Sequence, residues 1–183
     1  MRRLTTVLIV LALTAWPPMH TGRAAAPLAG EISELQGGGT SEPLVIVVNR
    51  TNPVNNLSFS ELRTVFLGGR SHWANGRRIT LVMRGPGDSE RKAILRDVCG
   101  MNEDQLKTHF LRGLFTGEIL LSPKILATPS GVKKFVFNVP GAIGYLRLSD
   151  VDASVKMVRI DNLLPSDKGY RLHLQFQVAN ESE

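Results

Sequence analysis

Apolar residues along the chain fall into short blocks separated by turn-forming ones. Leu44-Val45-Ile46-Val47-Val48 runs without polar alternation, the pattern of a strand covered on both faces. Residues 49–56 turn. Ser58 and Glu61 then have capping-box spacing, with Leu57 and Leu62 at the staple positions, so a helix starts there and buries Phe59, Leu62, Val65 and Phe66. Gly68-Gly69 ends it. Residues 79–83 form a β-rich run that ends in Arg84 and passes Gly85-Pro86-Gly87. An amphipathic helix follows, with Ile94, Leu95, Val98 and Cys99 on one side, until Gly100 stops it.

The pattern repeats downstream. Asn102 and Gln105 open a third helix, with Met101 against Leu106, that continues through Phe110 and Leu111. Residues 113–122 read as irregular. A fourth helix over 129–139 carries Val132, Phe135, Val136 and Val139 at helical spacing before Pro140-Gly141. Strands are expected over 142–146, 155–160 and 170–178, the last alternating like an edge strand with Leu172, Leu174 and Phe176 on one face. Strands alternating with helices make the class α/β, with a mixed or parallel sheet and helices on both faces.

The two ends read differently. Arg2-Arg3, an apolar run over residues 4–16, Pro17-Pro18 and Ala24-Ala25-Ala26 predict a signal peptide over residues 1–24, and hence a periplasmic or secreted protein. The run is shorter than the ~20 residues that span a bilayer. Residues 25–43, rich in small residues and ending near Gly37-Gly38-Gly39, read as a flexible linker. The folded domain is expected over 44–179 and a loose acidic tail over 180–183.

Charge adds little. Without Arg2, Arg3 and Arg23 the net charge falls from +6 to +3, and the remaining cations alternate with carboxylates without aromatic interleaving, which argues against a nucleic acid partner. Cys99 is the single cysteine and lies in an apolar stripe, so it reads as a buried core residue. The four histidines share no ligand spacing, so no metal is expected. No nucleophile elbow or paired-carboxylate constellation suggests an enzyme.

One corner invites chemistry. Where Arg84 and the Gly85-Pro86-Gly87 loop meet the next helix, backbone N–H groups of the first turn lack intrahelical partners. With a guanidinium beside them they could hold an oxyanion. A capped, self-paired corner, with Arg84 bridging to Asp88, is the other reading; Asp88 is then the N-cap and Glu90 offsets the dipole in the first turn.

Taken in order, Phe66-Leu67-Gly68-Gly69, Trp73, Gly76, Ile79, Arg84-x-x-Gly87 and Pro140-Gly141-Ala142-Ile143-Gly144-Tyr145 resemble the phosphate-binding periplasmic proteins of ABC transporters, nearest to their short, single-lobe relatives. The resemblance covers about residues 44–150. It implies one lobe of a type 2 periplasmic-binding-protein (PBP) fold that delivers phosphate or another oxyanion to an ABC permease, with no cofactor and with the membrane reached only through a partner. Carried over by position, the ligand-binding residues are Arg84, Gly87, Asp88 and Ser89. Asp88, Ser89 and Glu90 stand where full-length members have serine, glycine and threonine, so two carboxylates occupy the expected place of the ligand's charge. With one lobe and this substitution, the alternative function is a ligand-free interaction or scaffold lobe for an envelope or membrane complex.

Overall fold

The computed structural model describes residues 41–175. The expected signal peptide, all of the linker but its last three residues, and the acidic tail lie outside them. β1 (Ser41–Val48), β2 (Asn56–Leu57), β3 (Thr80–Arg84), β4 (Lys124–Leu126), β5 (Ala142–Arg147), β6 (Lys156–Ile160) and β7 (His173–Gln175) form one mixed sheet of order β2-β6-β1-β5-β3-β4, with β7 on β1. β1 is antiparallel to β5, β6 and β7, whereas β3 runs parallel to β4 and β5. The helices are α1 (Phe59–Phe66), α2 (Ser89–Ile94), α3 (Glu103–Thr116) and α4 (Pro129–Asn138).

The unbroken apolar run of β1 has the expected cause. Leu44, Ile46 and Val48 enter one core cluster with α1, α2 and α3, while Val45 and Val47 enter a second cluster with α4. β5 alternates likewise, with Ile143 and Tyr145 on the first side and Ala142 and Leu146 on the second. The capping boxes at Ser58/Glu61 and Asn102/Gln105 are both formed. Trp73 is buried and donates from Nε1 to the Gly141 carbonyl at 3.0 Å, tying the loop after α1 to the start of β5. Cys99 is fully buried, and burial pushes its thiol up to about 11.

Several expectations are corrected. The first strand starts at Ser41 rather than Leu44, because Ser41, Glu42 and Pro43 pair with β7, so the end of the segment read as linker is sheet. Phe59 is only partly buried at the start of α1. α2 does not run on to Cys99 as an α-helix, since residues Leu95–Cys99 form a wider π turn closed by Gly100. α3 extends past Leu111 to Thr116 through Gly113. At Gly113 the missing side chain makes room: an added Cβ would lie 2.5 Å from Ile119, which folds back over the helix, and the stop falls instead at Gly117 with φ +78°. β4 was not foreseen, since three half-exposed residues carry no periodic signal.

Candidate functional site

Strand directions gather the candidate residues at one end of the sheet. β3, β4 and β5 all finish there, and the antiparallel β1 begins there, with Leu44 opposite Arg147. α2 starts directly after β3, and α4 starts after β4 with Thr128 capping Gly131 N–H at 3.0 Å.

Arg84 closes β3 and is 7% exposed. Its backbone N–H donates to the Tyr145 hydroxyl at 2.9 Å, its Nη1 donates to the Ala127 carbonyl at 2.5 Å, and its Nη2 lies 3.4 Å from Asp88 Oδ2. Its Nε–H has no acceptor among the described residues. Burial pushes the Tyr145 hydroxyl well above the ordinary phenol range, so it stays protonated. Of the four expected ligand residues, Arg84 and Asp88 meet directly. Gly87 forms the turn with φ +94°. Ser89 Oγ accepts from Arg147 Nη2 at 3.1 Å and donates to Glu90 Oε2 at 3.2 Å.

The capped reading holds for the Arg84–Asp88 bridge and is corrected in one detail. Asp88 occupies the N-cap position of α2 but makes no side-chain cap hydrogen bond, because its carboxylate is turned to Arg84. Glu90 does lie in the first turn of α2, and it is buried there against a partner from across the sheet. It is 4% exposed and accepts from Arg147 Nε at 2.6 Å. Arg147 also lies 3.7 Å from Glu42, which accepts from the Ser149 hydroxyl. Arg91, buried, donates to both Glu103 oxygens at 2.6 and 2.8 Å and to the Arg84 carbonyl at 3.0 Å. Glu42, Arg91, Tyr145 and Arg147 were therefore missed as site residues. Glu42, Tyr145 and Arg147 lie far from residues 84–90 in sequence and reach them through the strand register, whereas Arg91 adjoins that stretch on α2 and reads there as one more polar helix position.

Three carboxylates, Glu42, Asp88 and Glu90, thus face two guanidiniums, Arg84 and Arg147. For Glu90, burial raises the carboxyl pKa, but the hydrogen bond from Arg147 and the positive charge of Arg147 and Arg84 outweigh it, so the group stays below its usual 4.5. A carboxyl depressed on folding adds stability that is complete above its unfolded value of about 4.3 and is lost as pH falls through the lower folded value. Glu90→Gln should cost about 1–2 kcal/mol at pH 7. It should also flatten the acid side of the stability profile, since glutamine cannot titrate. Urea midpoints measured from pH 7 down to pH 3 check this, and equal acid slopes in both forms would contradict it.

No protein-family model matches the sequence. Solved structures do match its fold. A Clostridium perfringens protein assigned as a phosphate ABC transporter substrate-binding protein, solved with bound phosphate, aligns at TM-score 0.62 with 22% identity, over 74% of this chain and 54% of that one. An ABC-type phosphate transport receptor from Vibrio cholerae aligns at 0.61 with 22% identity, over 74% and 55%. PstS from Borrelia burgdorferi aligns at 0.60 with 10% identity, over the same shares. The chain spans about half the length of these structures, and its α/β fold is that of the matched part of phosphate ABC transporter substrate-binding proteins.

Proposed function

We propose that this protein is a substrate-binding-type lobe that takes up phosphate or a related oxyanion at the Arg84 corner and hands it to an ABC-type permease, a transport role rather than a catalytic one. The observation that carries this reading is the buried Nε–H of Arg84, which lacks an acceptor among the described residues. A buried donor left unpaired is costly. A tetrahedral oxyanion supplies acceptors in the forked geometry that a guanidinium favours. The fold likeness to transport proteins supports the same role. Export to the periplasm or beyond accords with it.

Binding is weak in this reading. The incoming anion competes with Asp88 for Arg84, and a single lobe leaves it open to water, where charge-assisted hydrogen bonds lose strength. Calorimetric titration of the full chain with phosphate and with sulfate tests the proposal. Wild type should show saturable heat with a dissociation constant of about 1 mM, equivalent to about 4 kcal/mol, and Arg84→Gln should abolish it. Heat absent up to millimolar ligand would overturn the reading and leave a ligand-free lobe.

A further inference from the structure

The charges gathered at the Arg84 corner do not sum to zero. Glu42, Asp88 and Glu90 face Arg84 and Arg147, and Asp150 adds a further negative charge beside Arg147. The neighbouring Arg91–Glu103 pair cancels itself. Lys92, one turn along α2, is exposed and pairs with none of these carboxylates. The corner is thus negative on balance, at the place where an oxyanion would enter.

Its carboxylates are not equally committed. Glu90 is buried and held by Arg147 at 2.6 Å. Glu42 lies 3.7 Å from the same guanidinium and accepts from the Ser149 hydroxyl. Asp88 differs from both. Its side chain is 31% exposed, it lies 3.4 Å from Arg84 Nη2, and it accepts no hydrogen bond among the described residues. An ionised carboxylate can accept several donors, so Asp88 presents unused acceptors beside the guanidinium whose Nε–H is unpaired.

We propose that the ligand of this corner is a zwitterion: a phosphonate or phosphate ester that carries a primary ammonium on a short alkyl link, with its oxyanion on Arg84 and its ammonium on Asp88. The inference rests on the oxyanion reading and narrows it to a substrate class. A phosphate alone takes Arg84 from Asp88 and leaves that carboxylate facing a like charge. The zwitterion exchanges the Arg84–Asp88 pair for two pairs, so neither ion is stranded. An ammonium about 4 Å from Asp88 is attracted by as much as a phosphate charge at that distance is repelled. Its N–H donors also suit the unused acceptors. The link is short because Arg84 and Asp88 are only 3.4 Å apart, and a longer chain would carry the ammonium past its partner. Partial exposure of Asp88 lets water screen the attraction, so the gain is moderate.

Calorimetric titration of the full chain with aminoethylphosphonate and with ethylphosphonate, which lacks the ammonium, tests it. Wild type should bind the amino form about tenfold more tightly. Asp88→Asn should erase that preference by weakening the amino form and tightening the other. The urea midpoint of the variant, measured beside wild type, shows that it is folded. Equal affinity of wild type for the two ligands, or a preference that survives Asp88→Asn, would overturn the zwitterion and leave the oxyanion reading standing. Heat from neither ligand would overturn both.

Discussion

Gly141→Ala should cost about 3 kcal/mol or more, a large share of the 5–15 kcal/mol that a domain of this size commands. An alanine Cβ at this position would lie 2.0 Å from the Arg78 carbonyl oxygen, a backbone atom that cannot swing aside. Relief requires moving β5 away from the segment that enters β3. Both of the bonds that the Gly141 carbonyl accepts, from Trp73 Nε1 and from the Thr80 N–H, hold that contact closed. Urea unfolding followed by tryptophan fluorescence checks it, since Trp73 is buried at the junction. A loss below about 1 kcal/mol would mean that the close approach is not enforced.

Asp88→Ser should tighten phosphate binding by roughly 10–100-fold. One carboxylate about 4 Å from a phosphate charge repels it by about 4 kcal/mol at an effective dielectric of 20. Asp88 is about one third exposed, so solvent screening removes part of that penalty. The substitution also releases Arg84 Nη2 from its 3.4 Å partner and restores a hydroxyl donor beside the loop. Calorimetry on the variant beside wild type measures the gain. Unchanged affinity would show that the anion does not approach Asp88.

The parts of the fold that were legible share a local cause. Ser58/Glu61 and Asn102/Gln105 are cap pairs three residues apart, and both helices start where those pairs lie. The uninterrupted apolar run at 44–48 signalled cover on both faces, and two clusters divide its side chains. Where reading failed, a neighbour distant in sequence had decided the outcome. Residues 113–122 read as irregular from Gly113 on, but Gly113 lies inside α3 as a notch for Ile119. Ser41–Pro43 read as linker but pair with β7, 130 to 134 residues later. Glu90 reads as a first-turn charge that offsets the helix dipole, and its burial against Arg147 carries no local signal.

The same division runs through the site. By itself, the sequence determined that Arg84 ends a strand before a glycine turn and a helix start, because period, turn residues and capping act over a few residues. It also determined that two carboxylates follow that arginine. The bridge from Arg84 to Asp88 was already one of the two readings of that stretch; only the tertiary structure decided that it replaces the side-chain cap and that Glu90 is held by Arg147 across the sheet. Ion pairing depends on distance in space, and the register of β1, β3 and β5, set by which apolar faces each strand buries, is what brings residues 42, 84, 90 and 147 to one corner.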